Sequence, residues 1–169
     1  QLISTSNAPL FSTGMFVAMP ARILVCYGTT TQQSSTSLGV YQDPLLIRWS
    51  DQDDYTNWSI DTTNQVGSVR LPRGSTIVGG IQAPNQGLIW TDLAVWTMQY
   101  TGQPLVFGMN EVGTGCGLIA KHARCILRGA VYWMSQQNFY MIGAGGPTIV
   151  PCPVWDVVFQ DLDTTNQSK

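Results

Sequence analysis

The sequence predicts an all-β fold built from β-propeller-like blades. Three observations carry this. Short runs rich in β-branched and aromatic residues alternate with turns rich in Gly, Pro, Asn and Gln. Similar segments recur at a spacing of about 43 residues, within the roughly 40–50 expected for blades of several strands. Only two short segments, residues 118–122 and 155–162, have a composition suited to helix.

Residues 22–28 (RILVCYG) read as the first strand, because β-branched and aromatic side chains suit a pleated surface. A Thr/Ser/Gln loop follows over 29–37. Residues 44–49 (PLLIRW) read as the second strand, and 50–57 (SDQDDYTN) as a polar turn. Residues 75–82 (STIVGGIQ) read as a third, whose Gly pair allows a bulge or close packing. Residues 83–87 (APNQG) are turn chemistry: Pro fixes φ and Gly accepts a positive one. Residues 88–91 and 94–100 form a hairpin, and 106–109 a short strand. Strands at 124–127, 130–134, 139–142 and 148–150 complete the series.

The repeat lies in the second half. Leu88-Ile89-Trp90-Thr91-Asp92 matches Val131-Tyr132-Trp133-Met134-Ser135 at a spacing of 43. Ala94-Val95-Trp96-Thr97-Met98 matches Asn138-Phe139-Tyr140-Met141-Ile142 at 44, and Gly102-Gln103-Pro104 matches Gly145-Gly146-Pro147 at 43. Looking back, Leu45-Leu46-Ile47 falls 43 before Leu88-Ile89-Trp90. The alternative is chance likeness among aromatic hairpins. One blade cannot bury both faces of its sheet and needs neighbours. The 169 residues hold about three to four blades, too few for most closed rings. We therefore expect one partial propeller-like domain over residues 1–160, cut from a longer chain, and a polar tail over 161–169.

Charged residues make up 11% of the chain, less than half of the roughly 25% usual in soluble domains. Hydrophobic residues make up 44%, which supplies a core and excludes disorder for most of the chain. So few charges predict a surface that faces other protein. The net charge of −2, with eight Lys and Arg, argues against a strongly basic nucleic-acid binder. No apolar run approaches the roughly 20 residues of a membrane span. Gln1-Leu2-Ile3, with no basic n-region and no apolar h-region after it, is not expected to be a signal peptide.

Cys26, Cys116, Cys125 and Cys152 contain no CxxC pair, so a zinc ribbon or a thioredoxin-like site does not fit. An even count permits two disulfides. Apolar neighbours favour buried free thiols, as in a chain assembled in a reducing cytoplasm. His122 is the sole histidine; it stands beside Lys121 and near Arg124, with no acid nearby in sequence, and reads as a surface residue. One histidine cannot supply a His-rich metal site. Val112-Gly113-Thr114-Gly115-Cys116-Gly117-Leu118 misses the GxGxxG fingerprint at Leu118 and reads as a loop between blades. Asp51-Gln52-Asp53-Asp54 has alternating carboxylates but lacks a calcium-loop continuation, and reads as a solvated turn. Lys121, Arg124 and Arg128 form a small basic group, open to DNA phosphates or a neighbouring chain's carboxylates, and otherwise surface charge. Trp49, Trp58, Trp90, Trp96, Trp133 and Trp155, with Tyr55, Tyr100, Tyr132 and Tyr140, read mainly as sheet packing.

Several of these runs carry a resemblance. They are Arg48-Trp49-Ser50-Asp51 with Trp58, Gly67-Ser68, Gly79-Gly80, and Leu88-Ile89-Trp90-Thr91-Asp92 with Met98-Gln99-Tyr100. They continue in Gly113-Thr114-Gly115-Cys116-Gly117-Leu118-Ile119-Ala120, Val131-Tyr132-Trp133-Met134-Ser135 and Pro151-Cys152-Pro153-Val154-Trp155-Asp156-Val157-Val158-Phe159. In this order, over residues 45–162, the chain resembles a family of tailed-bacteriophage virion proteins: tail hub, nozzle or packaged-DNA stabilisation proteins. The resemblance implies a β-propeller subunit of a homo-oligomeric ring below the portal, through which genomic DNA passes. It implies a virion tail location after assembly in the host cytoplasm, with portal, adaptor or tail components as partners and non-specific contact with DNA. It implies no enzyme, no cofactor, and no catalytic, cofactor-binding or metal residue. Family members continue with further strands past the segment at Val154–Phe159. A polar channel of Gln, Thr and Ser with mild negative charge would let DNA slide, since tight phosphate contacts resist ejection.

Two other functions compete. A carbohydrate- or receptor-binding propeller module predicts equivalent aromatic and polar residues at the loop tips of each blade. A glycosidase-like propeller predicts opposed carboxylates, drawn from Asp51, Asp92 or Asp156, within about 10 Å in a cleft.

Overall fold

The computed structural model describes residues 7–32, 39–143, 145–163 and 166. The chain is all-β and forms three four-stranded antiparallel sheets. The first contains β1 (Gly14–Ala18), β2 (Ile23–Tyr27), β3 (Leu46–Trp49) and β4 (Gly67–Arg70). The second contains β5 (Ile77–Gln82), β6 (Gly87–Thr91), β7 (Ala94–Gly102) and β8 (Val106–Thr114). The third contains β9 (Arg124–Leu127), β10 (Ala130–Met134), β11 (Phe139–Ile142) and β12 (Thr148–Val150). Each sheet is a meander, its strands paired in chain order. Among the described residues one helix, α1 (Trp155–Gln160), follows.

The sheets stack through two cores. Ile23, Val25, Tyr27, Ile47 and Trp49 of the first sheet meet Ile77, Ile89, Trp96 and Met98 of the second. Leu88, Trp90 and Val95, on the opposite face of the second sheet, meet Val131, Trp133 and Ile142 of the third. The second sheet is thus covered on both sides. This is why all five residues of β6 are buried and why its sequence reads as a continuous apolar run instead of alternating. Ring contacts mark both interfaces: Trp49 meets Phe107 edge-on with centroids 5.1 Å apart, and Trp90 meets Trp133 at 5.5 Å.

The Gly79-Gly80 pair shows why β5 needs glycine. The register with β6 shifts between Ile77 and Gly79, which is the bulge. The strand also approaches both neighbours closely. A Cβ at Gly79 would lie 2.7 Å from the Arg124 guanidinium and 2.8 Å from Leu118. A Cβ at Gly80 would lie 2.9 Å from the Tyr27 ring.

Most of the strands expected from sequence are present, and the structure corrects several details. β8 runs nine residues, well past 106–109. β1 and β4 were not expected; β4 is an edge strand with half its residues in solvent and needs few apolar positions, whereas β1, GMFVA, is apolar throughout with two of its five residues in solvent. Residues 118–122 form bends and a turn and no helix, because Ile119 and Leu118 donate their N–H groups to Met134 and Thr91 on neighbouring strands. The repeat also changes. Leu46 and Ile47 lie in the third strand of the first sheet, whereas Leu88-Ile89-Trp90 lies in the second strand of the next. Long connections at 28–45 and 50–66 lengthen the first sheet, so the spacing does not extend back. Between the second and third sheets the spacing that keeps faces equivalent is 44, which matches Trp90 with Met134 and Val95 with Phe139, the pairs closing each hairpin. At 43, Trp90 is matched with Trp133, yet these two face each other across the interface. A one-residue slip reverses the face of every side chain in a strand.

Of the expected tail, Asn166 donates to the Asp163 carboxylate at 2.7 Å. Residues 164, 165 and 167–169, the N-terminal Gln1-Leu2-Ile3, and residues 33–37 of the Thr/Ser/Gln loop lie outside the described residues.

Candidate functional site

The charged residues singled out by sequence are mostly engaged in holding loops. Asp53 pairs with Arg22 at 2.7 Å. Asp51 accepts from the backbone N–H groups of Gln52 and Gln65, and Asp54 accepts from the Thr56 N–H and hydroxyl. The Asp54 carboxyl is held below its ordinary range by those Thr56 bonds. Among the described residues no group of three or more His, Cys, Asp or Glu is placed to hold a metal. Asp92 sits in the β6–β7 turn and accepts from Ser75 N–H at 2.9 Å and Ser75 Oγ at 2.5 Å. Burial raises its pKa, but the hydrogen bonds from Ser75 and Thr76 together outweigh that and leave it below the ordinary value.

The basic group divides. Lys121 donates to the Thr13 carbonyl at 2.8 Å, tying the third sheet's entry loop to the first sheet. Arg124 donates to the carbonyls of Lys121 and of Gly80, the latter at 2.9 Å, and so latches β9 onto β5. Arg128 stands exposed in the β9–β10 turn. His122 is exposed, as expected. The glycine-rich segment before it cannot cradle a phosphate with all its amides: Gly115 and Leu118 already donate to Leu93 and Thr91 carbonyls. The Cys116 carbonyl accepts from Trp133 Nε1 at 2.8 Å.

All four cysteines are free thiols. Cys26 and Cys116 are buried, whereas Cys125 is exposed and Cys152 half-buried, which corrects the expectation of burial for the last two. Cys125 lies on the outward side of β9, where no further sheet of the described residues covers it. Burial pushes the Cys26 thiol up to about 11, against smaller opposing effects of a Ser12 hydrogen bond and the Arg48 charge. Arg48 itself is buried behind the first sheet, donating to the carbonyls of Thr30 and Asn7 with its guanidinium 6.0 Å from the Trp58 ring. Burial lowers its pKa.

Five of the six tryptophans are buried; Trp155, on α1, is 39% exposed. Tyr55 and Tyr100 are exposed, and Tyr132 and Tyr140 half-buried.

The feature that sequence reading missed is the outer face of the third sheet. Val131 and Trp133 face the second sheet, so the alternate positions Tyr132 and Met134 of β10 face away from it. Register places Cys125, Phe139, Met141 and Val150 on the same outward side. Part of this face forms an apolar groove of about 440 Å³ lined by Tyr132, Met134, Phe139 and Val150 among others. α1 touches one corner, where Phe159 meets Phe139 at 5.2 Å. The signal was present in sequence: β10, AVYWM, is apolar at every position, as β6 is.

No protein-family model and no curated protein matches this chain. Among the described residues no helix is long and apolar enough to cross a membrane.

Proposed function

We propose that this chain is a structural subunit of a bacteriophage tail or neck assembly, its three sheets being blades of a β-propeller in a hub or nozzle ring around the path of genomic DNA. The observation that carries this is where the phage-like motif residues lie. Trp49, Trp58, Leu88, Ile89, Trp90, Met98, Cys116, Leu118, Val131 and Trp133 are all buried, nearly all of them in the two sheet-to-sheet cores. These runs of the resemblance thus fall on residues that hold sheet against sheet, which suits a scaffold, while its last run, residues 151–159, has no buried residue. Three consecutive meanders of four strands, with β1 and β5 lying side by side, suit blades of a propeller.

A carbohydrate-binding module is the second reading. It needs like side chains at equivalent turns. The turns after the first strand of each sheet carry Met19-Pro20, Pro84-Asn85 and Arg128-Gly129, which share no binding chemistry. Mass spectrometry of purified phage particles tests the proposal. We expect peptides of this chain at a fixed copy number relative to the portal. Their absence from clean particles would overturn it.

A further inference from the structure

Among the described residues Arg48 is the most deeply buried cation, 3% exposed, and no carboxylate of those residues pairs with it. Arg22, Arg70 and Arg73 are more than half exposed, yet each has an ion pair, with Asp53, Asp43 and Glu111. Arg48 leaves β3 on the side opposite Ile47 and Trp49, which enter the first core. Directly across on β2 stands Cys26, whose thiol, pushed up to about 11, is protonated at neutral pH and supplies no countercharge. The guanidinium donates to the Thr30 carbonyl at 3.2 Å and to the Asn7 carbonyl, and lies 6.0 Å from the Trp58 ring. These contacts fix its position and leave a whole charge without an anion. Of the five N–H donors of a guanidinium, those two bonds engage two. Taking an ion out of water is costly unless a countercharge and a full set of hydrogen bonds offset it.

Arg48 also lines a cavity of about 280 Å³, together with Asn7, Ala8, Pro9, Leu10, Thr31 and Val40. It is the one charged residue of that lining. Electrostatics selects what the cavity can hold. A metal ion or an amine would be repelled. A phosphate dianion would leave an excess negative charge out of water. A carboxylate balances the single positive charge, and its two oxygens match the planar fork of a guanidinium. Ala8, Pro9, Leu10 and Val40 give the cavity an apolar wall beside the cation, which suits a few methylene groups. We propose that this cavity binds a carboxylate on a short aliphatic body, with its oxygens on the Arg48 guanidinium. A free small acid and a glutamate side chain of a neighbouring protein both present that chemistry. The site stands independently of the tail reading.

Thermal melts of the full chain at pH 7, in sodium butyrate against sodium chloride at equal ionic strength, test this. We expect butyrate to raise Tm saturably, with a midpoint on the order of 1–10 mM. N-acetylglutamate methylamide is measured beside it. Binding tighter than butyrate assigns the site to a protein side chain, and weaker binding assigns it to a free acid. Leu10→Glu supplies the carboxylate from within. Leu10 lines the cavity and is 82% exposed, so the change leaves the core packing intact. This variant should melt above Leu10→Gln and lose the butyrate response. Arg48→Met should lose the response too, with circular dichroism confirming its fold. Should it not fold, Arg48→Lys, which keeps the charge without the fork, should weaken butyrate about tenfold. Equal melting of the wild type in the two salts would overturn the proposal. So would a butyrate midpoint that is the same in wild type, Leu10→Glu and the Arg48 variant.

Discussion

At the scale of single residues, the reactive groups are separated by burial. Cys26 is buried and its thiol is pushed up to about 11, so little thiolate exists at pH 8, and Cys116 is raised by burial in the same direction. Cys125 stands in solvent. Brief alkylation at pH 8 should therefore modify Cys125 first and Cys152 next, leaving Cys26 and Cys116 unmodified until denaturant is added; peptide mapping reads the order. Asp92 gives a pH-dependent case. Its folded carboxyl titrates below the ordinary aspartate value, so its stabilisation is complete at neutral pH and is lost as pH falls through the depressed value. Asp92→Asn should cost about 1 kcal/mol at pH 7 through the lost Ser75 hydroxyl bond. The gap from wild type should narrow as pH falls below ~4, read by urea melts at several pH values. At this scale the sequence was informative about His122 and Asp54, whose neighbours in the chain decide their surroundings, and less so about Asp51 and Asp53, which are tied to Gln65 and Arg22. It was uninformative about Arg48 and Arg124. Arg48 is buried and Arg124 half-buried, and their carbonyl partners come from residues as far apart as Asn7 and Gly80.

At the scale of elements, hairpins were legible because turn chemistry and strand propensity act over a few residues. The four strands of the third sheet lie where sequence places them. Edge strand β4 was not legible, since half of it faces solvent and a long connection separates it from its partner β3, whereas β1 is apolar throughout and closes a hairpin on β2, so its signal was present. Faces were harder still. The likeness of Trp90 to Trp133 concealed the fact that the two rings come from facing sheets. The open outer face of the third sheet was overlooked for the same reason: an all-apolar strand does not say which side has a partner. Trp90→Ala and Trp133→Ala should each destabilise the chain by about 3–5 kcal/mol. A double-mutant cycle should show a coupling of about 0.5–1.5 kcal/mol, as expected of an edge-to-face pair in contact. Denaturant melts of the four proteins measure it, and additivity would contradict direct contact. Gly79→Ala should cost about 1–3 kcal/mol, because Leu118 and the Arg124 latch must shift.

At the scale of the whole molecule, low charge goes with a stack whose third sheet carries an apolar groove on its outer face. Arg22, Arg70 and Arg73 sit in ion pairs, Arg48, Arg124 and Lys121 donate to carbonyls, and the net charge is −2. Duplex DNA should therefore show no retardation at about 150 mM salt, with affinity weaker than about 10⁻⁴ M. Tight, salt-resistant binding would contradict a passive channel wall. The proposal that these sheets are blades in a ring on the DNA path of a phage tail is open to direct test. Cryo-electron microscopy of the intact tail tests it most directly. We predict density for four-stranded sheets with this chain's side chains, arranged radially around the tail axis and stacked as Trp49–Phe107 and Trp90–Trp133 stack here. A tail reconstructed in full with no place for this chain, or with the chain on its periphery away from the axis, would contradict it.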